Sequence, residues 1–171
     1  MTNLFKIAEK ELNTIAYNLT EKIYDENDIL LMDKKADLRK LLDKKYLNFA
    51  TDIQLRIMRM CSFKYNKKKI KSEPYIHSLI HKLKYMKWKK KEYNEDLSEY
   101  SDLFAKEIYE NYDKYKDLSL YEIIPKLYKT KLKVHNDSID HLAIFYLLNK
   151  SCKKYKYQIV KLDKLEIKKI N

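Results

Sequence analysis

The sequence SLYEIIPKLYKTKLKV, residues 119–134, joins two patterns that ask for different backbones. Ser119 with Glu122 three residues later is a capping box, in which a hydroxyl and a carboxylate satisfy the orphan N–H groups of a helix start. Pro125 has no N–H and its ring clashes with the carbonyl four residues back, so it should allow only a turn or so of helix. From Tyr128 onward the character changes. Tyr128, Thr130, Leu132 and Val134 alternate with Lys129, Lys131 and Lys133, the period of a half-buried strand. The stretch therefore predicts a mainly α chain: a helical body over residues 1–117, then a small α/β unit over 118–171 built as strand, helix and hairpin.

Upstream, the body is read from helical stripes. Leu4, Ala8, Leu12, Ile15, Leu19 and Ile23 recur at steps of three and four, a first helix over about 3–24, and residues 25–28 (Asp-Glu-Asn-Asp) break the pattern. A second stripe runs through Leu38, Leu42, Tyr46, Phe49, Ile53, Ile57 and Met60, as one long helix or as two abutting ones with a turn at Asp43-Lys44-Lys45. Leu55 and Met58 widen its apolar arc, so this helix should be well buried. Residues 66–71 form a lysine loop, and Ser72-Glu73-Pro74 starts a third helix with a capping hydroxyl and a proline tolerated in the first turn. That helix places Ile76, Leu79, Ile80, Leu83 and Met86 inward. A fourth helix, over about 96–115, turns Leu97, Tyr100, Phe104, Ile108, Tyr112 and Tyr115 to the core and its acids to solvent.

Downstream, Asn136-Asp137-Ser138 starts a helix with Ile139, Leu142, Phe145, Tyr146 and Leu148 on its apolar side. Residues 155–160 and 165–170 read as two strands round a turn at 161–164. The chain has no glycine, so that turn should not be of type I′ or II′. Winged-helix domains end in such a hairpin, but they normally have two helices between the first strand and the hairpin, and one is evident here.

Charge is distributed very unevenly. Residues 53–91 hold thirteen basic side chains against one acid, Glu73, which accounts for the whole net charge of +12. The remaining residues are formally neutral. Tyr65, Tyr75, Tyr85 and Trp88 sit among these cations, and a segment so polarised reads as a surface for a polyanion. The candidate contact residues are Arg56, Arg59, Lys67, Lys68, Lys69, Lys71, His77, His81, Lys84, Lys87, Trp88, Lys89, Lys90 and Lys91. His77, His81, Lys84, Trp88 and Lys91 fall on one stripe of the third helix, and Arg56 and Arg59 lie three apart on the second. The dominance of lysine over arginine, with the scarcity of Gly, Ala and Pro, fits an AT-biased coding sequence. Such bias explains lysine richness but not its clustering, since it left acids matched to bases elsewhere.

Several function classes lose their footing. Phosphate-cradling loops need glycine where the backbone turns to positive φ or approaches the ligand closely, so the Walker, dinucleotide and kinase glycine loops are absent. Cys61 and Cys152 lack metal-knuckle spacing and read as reduced core thiols. Nothing approaches the roughly 20 apolar residues of a membrane span, and the N-terminal pattern is not that of a signal peptide. An intracellular, cytoplasmic protein without membrane contact and without cofactor is expected.

Two weaker constellations remain. His77 and His81 put two imidazoles on one helical face, as a metal site would, but Ser78 stands where a zincin has glutamate. More ordinarily, they border the core or meet an anion. Glu166-x-Lys168 on a strand resembles half of a metal-dependent nuclease motif, which needs an aspartate from the neighbouring strand. Its plain reading is a polar strand face.

Two family resemblances rest on apolar positions. Leu55-Arg-Ile-Met-Arg59, then Glu73-x-x-Ile76, Ile124-Pro125 and Asp137-x-Ile139 leading to Leu147-Leu148, resembles the order of helical domain and small β-domain in archaeal GINS replication subunits. The glycines usual in that β-domain are missing, and an extra tail follows. Residues 141–148 (HLAIFYLL) ahead of a hairpin are similar to the C-terminal winged helix of bacterial kleisins. No residue role is taken from either.

The function expected from the residues is non-enzymatic binding of nucleic acid, DNA or RNA, through phosphate contacts of low sequence specificity, within a replication, chromosome or viral assembly. Lysine is a point charge suited to phosphates, while arginine, whose fork reads guanine edges, occurs three times. Tyr75, Tyr85 and Trp88 could add stacking on single strands. The runner-up is an adaptor or inhibitor, of a host-defence or anti-defence kind, that docks the basic face on an acidic protein. A small nuclease using Glu166 and Lys168 is the third.

Overall fold

A computed structural model describes residues 3–23, 38–64, 94–133 and 138–171. These residues are mainly helical, with a two-stranded antiparallel sheet at the C-terminus. The chain divides into two compact units, one of residues 1–9 with 92–171 and one of residues 10–91.

The first helix, α1, spans Leu4–Ile23. Asn3 caps it: its side-chain oxygen accepts the Lys6 N–H at 3.1 Å. Leu4, Ala8, Leu12 and Leu19 are buried as the stripe requires, and Ala16 and Thr20 join them while Ile15 is half-buried.

In the unit of residues 10–91, a turn at 38–42 leads to extended Asp43, whose carbonyl accepts the Tyr46 N–H and starts a 3₁₀ helix, η1, over Lys44–Phe49. Helix α2 follows directly over Ala50–Lys64. The chain does break at Asp43, so the stripe is not one long helix; what precedes the break among the described residues is a turn, and η1 running into α2 follows it. Burial is as deep as expected: Leu38, Phe49, Ala50, Ile53, Leu55 and Ile57 are sealed from solvent, and Thr51, Asp52 and Gln54 are buried with them.

The unit of residues 92–171 is built round α3, Asn94–Glu110, packed on α6, Ser138–Cys152. The contact is close because small residues meet there, with the Ser151 hydroxyl donating to Ser101 at 2.8 Å and Ala105 fully buried. The expected fourth helix is two helices, since Asn111 leaves helical geometry (φ −125°, ψ 38°) and a short α4, Tyr112–Tyr115, follows.

Residues 119–131 overturn the opening expectation. Ser119 caps as read, its N–H and hydroxyl both donating to the Glu122 carboxylate at 3.0 and 3.3 Å. Helix α5 then runs unbroken from Leu120 to Lys131 with Pro125 inside it. No strand forms over 128–133; Tyr128 is the last buried residue of this helix. The reason is packing: Leu120, Tyr121, Ile123, Ile124, Leu127 and Tyr128 are all buried at helical spacing. Phe104 and Tyr100 meet the Tyr128 ring edge-on at 5.2 and 6.0 Å, and Tyr121 packs on Phe145 at 5.6 Å. Burying six large apolar side chains outweighs the roughly 3 kcal/mol that an internal proline costs a helix. The first strand of the strand-helix-hairpin unit is therefore a helix, and the winged-helix comparison loses its third strand among the described residues.

The hairpin itself stands as expected. A 3₁₀ turn, η2, at Lys153–Tyr155 ends α6 and leads to β1, Tyr157–Lys161, which pairs with β2, Glu166–Lys169. The connecting turn contains no residue of positive φ; among the described residues the left-handed ones are Lys133 (φ 55°) and Lys156 (φ 60°). In a chain without glycine these positions fall to lysine at a cost of about 1 kcal/mol each. The turn is docked through its backbone: Leu120 N–H donates to Leu162 O, Leu165 N–H donates to Leu118 O, both at 2.9 Å, and Leu162 and Leu165 are buried.

Candidate nucleic-acid interface

Of the candidate phosphate-contact residues, Arg56 is the one whose side chain is described. It stands on α2, Nε donating to the Asp52 carboxylate one turn earlier and Nη1 donating to Asn13 Oδ1 on α1. Its side chain is 17% exposed and that of Asp52 9%. Asp52 also lies in the first turn of α2, where the helix dipole favours a negative charge. The guanidinium thus neutralises a buried carboxylate and ties two helical segments of its unit together. Any phosphate contact by Arg56 has to compete with that pairing.

Arg59 lies on α2, three residues beyond Arg56. Lys67, Lys68, Lys69, Lys71, His77, His81, Lys84, Lys87, Trp88, Lys89, Lys90 and Lys91 lie outside the described residues, as do the lysine loop, the third helix, the break at 25–28 and Val134.

The other candidate chemistry can be placed. Glu166 and Lys168 are both on β2, with Lys161 of β1 opposite Glu166 and 3.5 Å from it, and Gln158 opposite Lys168. The neighbouring strand reads YQIVK and offers no carboxylate beside the pair. Among the described residues, no group of three or more His, Cys, Asp or Glu side chains is placed to hold a metal ion. His141 is buried and lies against the Tyr128 ring at 4.8 Å. Cys152 is a free, fully buried thiol, and burial pushes it up to about 12, which fits the core role read for it. The Tyr157 hydroxyl above it donates to the Ala105 carbonyl and is likewise pushed up by burial. No helix among the described residues is long and apolar enough to cross a membrane.

A second concentration of cations comes into view with the hairpin. Residues 150–171 hold eight lysines against Asp163 and Glu166. Averaging everything outside 53–91 hid this excess, since the acids that balance it lie elsewhere in the sequence. Some of those acids are paired across the fold: Lys154 meets Asp102 at 2.6 Å, Lys164 meets Asp117 at 3.6 Å, and Lys131 meets Glu107 at 3.3 Å. Burial alone would raise Asp102, but Lys154 and the Ser151 hydroxyl, with Lys150 nearby, outweigh it and hold the carboxyl below its usual range. A count of charge in short windows would have flagged this segment; which lysines are left without partners needed the fold. Comparison with protein-family models, curated proteins and solved structures finds no significant match for this chain, so the likenesses to GINS subunits and kleisin winged helices remain likenesses of apolar positions.

Proposed function

We propose that this chain is a non-enzymatic nucleic-acid-binding protein that works inside the cell as a subunit of a replication, chromosome or viral assembly. It grips the phosphate backbone with little regard for sequence. The observation that carries this reading is the concentration of the entire net charge of +12 in residues 53–91. A polycation of this kind gains affinity by releasing counterions from nucleic acid, which is independent of base sequence. Because Arg56 is engaged by Asp52 and Asn13, the phosphate contacts fall to the lysines.

The test is binding to DNA, RNA and heparin by the parent and by two charge-reversed proteins. One has Lys67, Lys68 and Lys69 changed to Glu, the other Lys89, Lys90 and Lys91. If about six phosphates are neutralised, affinity for duplex DNA should fall with a log–log salt slope of roughly −5, and each reversal should weaken binding while the protein stays folded. Unchanged binding by both reversed proteins, or a flat salt response, would refute the proposal. Equal affinity for heparin and nucleic acid would favour an adaptor whose partner is an acidic protein.

A further inference from the structure

The lysines of the C-terminal hairpin are sorted by position. At its closed end Lys161 pairs with Glu166 and Lys164 with Asp117. At its open end, where η2 passes into β1, Lys153, Lys156, Lys168 and Lys169 are all exposed, and none has an ion-pair partner among the described residues. The backbone brings them to one end of the hairpin: Lys156 N–H donates to Lys153 O at 3.0 Å, Ile170 N–H donates to Lys156 O at 2.9 Å, and Lys169 lies opposite Tyr157 in the ladder, with Lys168 next to it on the other face of the strand. Four ammonium groups without a paired acid at one end of a short hairpin raise the local positive potential, which draws an anion.

An aromatic surface lies at the same end. Tyr109 of α3 stacks on Tyr157, with centroids 5.5 Å apart and planes 29° apart, and on Tyr155 at 6.4 Å and 26°. It stays 44% exposed, whereas the core tyrosines Tyr115, Tyr121 and Tyr128 are at most 1% exposed. Its ring is held in orientation by two neighbours and still offers surface to solvent.

We propose that Tyr109 and the open end of the hairpin form a binding face for single-stranded nucleic acid, with the four lysines on phosphates and a base stacked on Tyr109. A duplex keeps its base faces hidden, so the stacking contribution selects a single strand. The face is made of other residues than the basic stretch and belongs to the other compact unit, so it goes beyond the function proposed for residues 53–91.

Fluorescence anisotropy with a labelled oligothymidylate and a duplex of equal length tests it, in the full-length parent and in the Lys67, Lys68, Lys69→Glu background. Tyr109→Ala should weaken oligothymidylate binding about tenfold and leave duplex binding within about twofold, while Tyr109→Phe, which keeps the ring, stays near the parent. Changing Lys153, Lys168 and Lys169 to Ala and Lys156 to Asn, which tolerates the left-handed backbone, should cut affinity for the strand and reduce its salt slope by roughly 3. These surface changes keep the test open even if Tyr109→Ala unfolds. Hairpin variants that are folded and bind the oligothymidylate as their background does overturn the proposal, as does an equal loss for strand, duplex and heparin. If the hairpin variants lose binding and the Lys67, Lys68, Lys69→Glu change alone does nothing, this face stands and the lysine-loop contact fails.

Discussion

Asn149 should be the side chain on which the hairpin's attachment depends most. It is buried on α6, where its Nδ2 donates to the Ile159 carbonyl at 3.2 Å and its Oδ1 accepts the Ile159 N–H at 2.8 Å. Ile159 is fully buried, and both its main-chain groups face away from β2, so the amide covers the free edge of β1 as another strand would. Asn149→Ala removes both partners at once. A buried backbone group left unsatisfied costs about 1–3 kcal/mol, so the two together predict a loss of roughly 2–5 kcal/mol in urea unfolding followed by circular dichroism. Hydrogen exchange localises the effect: the Ile159 amide should lose protection by a larger factor than Gln158. Asn149→Asp adds a sign test. An ionised carboxylate still accepts the N–H, but its second oxygen opposes the Ile159 carbonyl, so the folded state favours the protonated acid and raises its pKa above the ordinary value of about 3.9. The native state then holds a proton that the unfolded chain has lost, and stability relative to the parent falls as pH rises from about 4. A loss below about 0.5 kcal/mol for Asn149→Ala, or an Asn149→Asp curve parallel to the parent's from about pH 4 to 7, would refute the reasoning.

Three further outcomes are expected. Arg56→Ala should destabilise its unit by about 1–3 kcal/mol, because Asp52 is left buried without this cation, while the salt slope of nucleic-acid binding stays unchanged; a lowered slope with unaltered stability would make Arg56 a phosphate contact. Pro125→Ala should stabilise the chain by about 1–2 kcal/mol in urea unfolding, since it restores the backbone N–H that proline removes from the interior of α5, less the entropy that proline removes from the unfolded state; a neutral or destabilising result would mean that the ring's packing outweighs the missing bond. Cys152, pushed up to about 12 by burial, should resist iodoacetamide at pH 8 in the native protein and react after denaturation, read on its own peptide by mass spectrometry; rapid native labelling would contradict its burial.

What the sequence determined by itself was local and periodic. The stripe from Leu4 to Leu19 fixed a helix because Ala8, Leu12 and their neighbours repeat at the spacing of one helical face, whatever they pack on. The capping box at Ser119 and Glu122 was legible because it closes within four residues. The hairpin and the character of its turn followed from alternation and from the absence of glycine. Residues 128–133 were misread because alternation of Tyr, Thr and Leu with Lys fits a strand and also fits the end of a helix whose buried side holds Leu127 and Tyr128. Only the rings of Phe104 and Tyr100 on Tyr128 decide between the two, and they lie more than twenty residues away in the chain. The site divides the same way. Net charge is additive, so the excess in residues 53–91 could be counted from the letters. Which cations are already spent is a matter of pairing across the fold, which joins Arg56 to Asn13 and Lys154 to Asp102 while Lys153, Lys156, Lys168 and Lys169 stay open to solvent at the hairpin's end.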